Sequence, residues 1–88
     1  MVKVLLFGEL EALAGTSEVM LPKGRVMDVL ASLSSLYGQA FRDFMFGDES
    51  GRKHLIILVN NAPVRYNVYE YQLADEDTVS LMPMDEGE

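Results

Sequence analysis

The chain has no cysteine, no tryptophan, one histidine and three prolines. Without cysteine it can hold no disulfide, no thiolate metal site, no cysteine nucleophile and no persulfide of its own. The lone histidine, His54, leads into an apolar run with no partnered acid or nucleophile beside it, and reads as structural. Basic residues are scarce too: seven Lys and Arg face fourteen Asp and Glu, for a net charge of −7. Only Arg52 and Lys53 are adjacent, so the clustered cations that phosphate contacts require are missing. Nucleic acid and anionic membrane are therefore disfavoured as partners. An acidic surface fits a basic protein partner, or serves solubility alone. No apolar run approaches the ~20 residues of a membrane span, and residues 1–7 are too short for the apolar region of a signal peptide. The expectation is a soluble, cytoplasmic protein of one domain, since 88 residues provide for a single small core.

What is present is an ordered series of short elements. Val2 to Phe7 is almost continuously apolar and predicts a strand buried on both faces or nearly so, ended by Gly8. Glu9 to Ala14 predicts one helical turn closed by Gly15, and Thr16 to Leu21 a second strand, antiparallel to the first and stopped by Pro22. Val26, Val29, Leu30, Leu33 and Tyr37 share one face of a 3.6-residue helix, with Leu36 at its margin, Asp28 in its first turn and Gly38 as its cap. Phe41, Phe44, Met45 and Phe46 predict a short helix or turn at the edge of the core, followed by a polar loop over 47–51. Leu55 to Val59 is a third strand, Asn60-Asn61 a turn tolerant of positive φ, and Ala62 to Tyr66 a short strand that Pro63 confines to an edge. Asp75-Glu76-Asp77 is a turn before the last strand, Thr78 to Met82. Pro83 cannot donate to a ladder, so the α+β domain is expected to span 1–83 and a flexible tail 84–88.

No catalytic constellation stands out in this series. The carboxylates lie in turns, and Ser32, Ser34 and Ser35 sit on the helix without a histidine partner. Chemistry, if any, has to come from somewhere other than a pocket of paired side chains.

Alternation locates a different kind of surface. With Lys3 facing solvent, Leu5 and Phe7 share its side, while Val2, Val4 and Leu6 face the helix. The same rule turns Ser80 and Met82 outward. Phe7, Met82 and Pro63 then form an exposed apolar patch near the tail, which Pro83 and Met84 continue.

Several segments, in order, carry a resemblance: residues 2–8, Leu13-Ala14-Gly15, Leu21-Pro22-Lys23-Gly24, Leu58 to Val64, Asp75 to Val79, and Met82-Pro83. Over its whole length the chain resembles the MoaD/ThiS family of ubiquitin-like sulfur-carrier proteins, most closely the molybdopterin synthase small subunits. The resemblance implies a β-grasp fold, a mixed sheet with the first and last strands central and parallel and the long helix on one face. It also implies a non-catalytic carrier subunit with no bound cofactor, working in molybdenum cofactor biosynthesis. In the family an adenylating, E1-like enzyme uses ATP to activate the C-terminal glycine carboxylate, which becomes a thiocarboxylate. That tail enters the large synthase subunit, whose docking surface on this chain would be Phe7, Pro63, Met82, Pro83 and Met84. Family tails end in Gly-Gly, which can thread a narrow tunnel because neither residue has a Cβ; here the last two residues are Gly87 and Glu88. Three readings follow: a carrier activated after Glu88 is trimmed, a protein that kept the interface and lost the carrier role, or a divergent tail accepted by a matching partner. A ubiquitin-like protein modifier, another binding module of this fold, or a sulfur carrier for thiamin or tRNA thiolation are the alternatives.

Overall fold

The computed structural model describes residues 1–46, 55–64 and 66–83, with Met45 and Phe46 described for backbone alone. The expected loop over 47–51, His54 and the tail with Met84, Gly87 and Glu88 lie outside the described residues. The elements run β1 (Val2–Leu6), α1 (Gly8–Ala14), β2 (Glu18–Leu21), α2 (Val26–Tyr37), α3 (Gln39–Phe46), β3 (Leu55–Val59), β4 (Ala62–Pro63), a 3₁₀ turn (Val68–Glu70) and β5 (Thr78–Pro83).

Among the described residues the strands form one sheet in the order β2-β1-β5-β3-β4. The two ends of the domain meet at its centre: β1 and β5 pair in parallel, Lys3 opposite Thr78 and Leu6 opposite Leu81. β2 flanks β1 and β3 flanks β5, both antiparallel, so neither central strand is an edge. This mixed sheet with its helices is the β-grasp arrangement that the family resemblance implies.

The core lies between the sheet and the helices. Val2, Val4 and Leu6 of β1 and Val79 and Leu81 of β5 are buried, and Val26, Val29, Leu30 and Leu33 of α2 cover them. Phe41 closes the end of this core and stacks at a tilt on Tyr37, their ring centroids 5.2 Å apart. Gly38 caps α2 through its N–H, which donates to the Ser34 carbonyl, and α3 starts at the next residue. The start of α2 is held by Asp28, whose carboxylate accepts the Arg25 backbone N–H at 3.0 Å, as in half of a capping box. That N–H, and then the Arg25 side chain, hold the Asp28 carboxyl below the usual carboxylate range.

Three features depart from expectation. The fourth strand is only Ala62–Pro63, where 62–66 was expected: Val64 carries no ladder, Tyr66 lies in a bend and residue 65 is outside the described set. β5 runs through Pro83 opposite Leu55, because the last residue of a strand can pair without using its own N–H. The 3₁₀ turn and the segment after it are packed into the fold. Leu73 is buried, its N–H donating to the Gly24 carbonyl at 2.8 Å, and the Val26 N–H donates to the Tyr71 carbonyl at 3.0 Å.

Leu30 is fully buried, whereas Leu36 on the same helix is 57% exposed. Leu30→Ala is expected to cost ~2–5 kcal/mol, and Leu36→Ala less than ~0.5 kcal/mol. Urea unfolding of the two variants measures both.

Candidate docking face and strand end

The described helices cover one face of the sheet only, so β1 is not buried on both faces as its apolar run suggested: Lys3 is exposed and Leu5 half-buried. The side chains of this second face can be read row by row from the strand registers. Lys3 pairs with Met20 and with Thr78, and these three make the row at the start of β1. Next come Glu18, Leu5, Ser80, Leu58 and Pro63, each opposite the one before it. The last row holds Phe7, Met82 and Ile56: the Phe7 N–H donates to the Leu81 carbonyl at 3.2 Å, extending the β1–β5 ladder, and Met82 pairs with Ile56. Polarity therefore changes along the strands, from Lys3 and Thr78 at one end to an all-apolar row at the other. Phe7 is 42% and Ile56 38% exposed, with Met82 half-buried between them.

The expected patch residues Phe7, Pro63 and Met82 all lie on this face, while Pro83, half-buried, ends β5 beside the apolar row. Met84, Gly87 and Glu88 lie outside the described residues. Sequence reasoning missed Ile56 and Leu58, because an unbroken apolar run does not show which residues face outward; pairing with Met82 and Ser80 decides it. It also expected Ser80 to be outward, and the side is right, but the residue is only 3% exposed. Its register neighbours on either side are the larger Leu5 and Leu58.

The other end of β5 is anchored by Asn60. Asn60 and Asn61 have φ of 52° and 69°, as a tight hairpin turn between β3 and β4 requires. The Asn60 N–H donates to the Thr78 carbonyl at 2.7 Å, and the Thr78 N–H donates to Asn60 Oδ1 at 2.9 Å. Asn60 Nδ2 donates to Asp77 Oδ1 at 3.0 Å, and the Ala74 N–H donates to Asp77 Oδ2 at 2.8 Å. The Ala74 N–H foremost, then the Asn60 amide, hold the Asp77 carboxyl below the usual carboxylate range. Asp77 is thus a structural anchor for β5.

Among the described residues the groove between α2 and α3 offers no paired acid, base or nucleophile. It presents Ser34, Ser35, Gln39 and Arg42, and the Ser34 hydroxyl is spent donating to the Leu30 carbonyl at 3.0 Å. Among the described residues no group of three or more His, Asp or Glu is placed to hold a metal ion, and no helix is long and apolar enough to cross a membrane. The chemical opportunity lies at the apolar row beside the end of β5.

Comparison with known proteins agrees with this geometry. The ThiS family matches residues 4–87. The chain is 35% identical to small archaeal modifier protein 1 from Methanosarcina acetivorans, with a TM-score of 0.82 over 99% of this chain and 95% of that one. It is 31% identical to a protein from Pyrococcus furiosus described as a candidate molybdopterin converting factor, subunit 1, covering 96% of this chain and 97% of that one at a TM-score of 0.72. The fold is also shared, at 20% identity and a TM-score of 0.79 over the whole of both chains, with a protein of the Amycolatopsis orientalis BexX/CysO complex. No curated protein matches the chain.

Because the folded Asp77 carboxyl titrates below its unfolded value, its contribution is complete above the ordinary carboxylate range and is lost as pH falls through the folded value. Asp77→Asn is therefore expected to destabilise the protein most near neutrality. The difference from the parent should shrink below about pH 4, as urea midpoints measured across this range would show.

Proposed function

The chain belongs to the ThiS family, and on that premise we propose that it is the sulfur-carrier small subunit of a molybdopterin synthase, working in molybdenum cofactor biosynthesis. The observation that supports this most directly is the position of the apolar row Phe7, Met82 and Ile56 beside the end of β5. A partner that docks on this row meets the domain where β5 ends, at Pro83. In this reading Pro63 and Leu58 extend the contact sideways, and Pro83 and Met84 lead toward the tail.

The chemistry belongs to the carboxylate at the chain end and to the partners. An adenylating enzyme joins that carboxylate to the α-phosphate of ATP and releases pyrophosphate. A hydrosulfide-level sulfur then displaces AMP, leaving a thiocarboxylate and a proton. In the large synthase subunit the sulfur passes to a pterin precursor, and water returns the carboxylate. The chain itself supplies docking and delivery, with no side chain acting as acid, base or nucleophile.

A second reading, protein modification through the same activated end, is favoured by the 35% identity to a small archaeal modifier protein. Mass analysis separates the two: a thiocarboxylate replaces one oxygen with sulfur, whereas a modifier is found joined to a lysine of another protein. Binding of a pterin-binding large subunit supports the synthase reading, and its absence alongside lysine conjugates overturns it.

Docking through the apolar row carries a sharp expectation. Phe7→Asp should abolish binding to the large subunit in calorimetry while leaving the thermal midpoint nearly unchanged, because Phe7 lies outside the core. A stability loss of ~3 kcal/mol or more would instead make Phe7 a core residue.

The end of the sequence carries another. A polypeptide ending at Glu88 brings a charged side chain where the chemistry uses a bare α-carbon, and a tunnel that excludes water must desolvate it. Such a polypeptide is expected to be a poor substrate for an activating enzyme of this family, and Glu88→Gly to be a good one. Intact mass after incubation with activating enzyme, ATP and sulfide decides; equal thiocarboxylate on both would show that Glu88 is tolerated.

A further inference from the structure

Gly8 is the residue where α1 leaves the sheet, and two independent constraints meet on it. Its φ is +58°, a conformation that a side chain disfavours. It also has no room for one: a Cβ built there stands 2.8 Å from Pro83 Cγ and 3.3 Å from Pro83 Cδ. The obstacle is a rigid ring, which cannot swing aside as the tip of a long side chain would. Gly15 makes the contrast, since its φ is +76° but nothing lies within 4 Å of its Cβ position. Positive φ alone therefore accounts for Gly15, whereas Gly8 is also shaped to another residue.

That residue is the last one of β5. Pro83 is held on one side by its pairing with Leu55 of β3, and on the other its ring lies against Gly8. The ladder between Phe7 and Leu81 brings the two segments together just before this contact. Proline has a fixed φ, so a seat for its ring fixes the direction of its Cα–C bond, from which the following chain starts.

We propose that Gly8 is a positioning residue: it seats the Pro83 ring and thereby sets the direction in which the chain leaves β5 relative to the apolar row. The inference rests on the carrier reading for its biological use, but the coupling itself can be measured without it. Gly8 touches no reacting atom in this scheme; it acts through Pro83.

The test is a double-mutant cycle of Gly8→Ala and Pro83→Ala, with Gly15→Ala as the control that pays for positive φ without a neighbour. Because the chain lacks cysteine, Asp85→Cys offers a single site for a nitroxide label. Paramagnetic relaxation of the Leu5, Ser80 and Leu58 amides then reports where the tail points. Gly8→Ala is expected to shift this pattern, Gly15→Ala to leave it as in the parent, and Gly8→Ala to add nothing once Pro83 is Ala. The thermal midpoint should fall in both glycine variants, whichever residue occupies position 83. Where the parent is adenylated, Gly8→Ala should lower kcat on the order of tenfold or more while KM stays within about twofold, since docking is intact and delivery is not. If Gly8→Ala alone fails to fold, Pro83→Ala against the parent reads the same seat, with a shifted pattern expected. An unchanged tail pattern in Gly8→Ala or in Pro83→Ala, or equal shifts from Gly8→Ala in both Pro83 backgrounds or from Gly15→Ala, overturns the proposal. A Glu88→Gly form that is never adenylated, while the coupled shift is seen, overturns the carrier reading and leaves the seat standing.

Discussion

Everything in this fold depends on the parallel pairing of β1 with β5. Parallel neighbours cannot be joined by a tight turn, so the whole chain between them serves as the crossover. That places the two segments most distant in sequence at the centre of the sheet, with the Lys3 N–H donating to the Asp77 carbonyl at 3.0 Å to open the ladder. Their inward residues, Val2, Val4, Leu6, Val79 and Leu81, make a continuous apolar stripe. A stripe of this kind is stable only when covered, and the amphipathic face of α2 provides the cover.

The open face follows from the same pairing. Once the inward residues are assigned, alternation sends Leu5, Phe7, Ser80 and Met82 to the other side. The direction of β5 matters just as much. Because it runs parallel to β1, the ends of both strands arrive together, so Phe7, Gly8 and Pro83 are neighbours. An antiparallel last strand would have carried Pro83 to the Lys3 end, away from the apolar row. The pairing that builds the core thus also brings the apolar row and the last residue of β5 to the same place.

How much of this was legible in the residues depends on the range of the interaction. β1, α2, β3 and β5 were readable because each has a strong period or an unbroken apolar run, and Asn60-Asn61 because asparagine accepts the positive φ that the turn shows. The outward side of Phe7 and Met82 was readable from alternation. Leu73 was not, since its burial comes from backbone hydrogen bonds between 24–26 and 71–73, which leave no periodic trace. Nor was the Asn60–Asp77 bond, whose partners are 17 residues apart and look like ordinary turn residues. Ser80 shows the limit of alternation, which gives the side of a sheet but not the height of the neighbours.

The form of the open face bears on what a carrier must do. A carrier has to leave each partner after delivery, so its interface should hold without becoming permanent. Phe7 and Ile56 are already partly covered by their neighbours, so docking buries the remainder of two side chains and of Met82 rather than a core cut in half. Area of that order belongs with transient interfaces, where packing of a few anchors decides affinity. Under the carrier reading, Lys3 and Glu18 in the rows beside the apolar one would add selectivity at the rim more than strength. Among the described residues this face is the apolar surface adjoining Pro83, so under the carrier reading the activating and receiving partners compete for it. Exchange between them then turns on what the chain end carries, because the face that both would grip is the same before and after the chemistry.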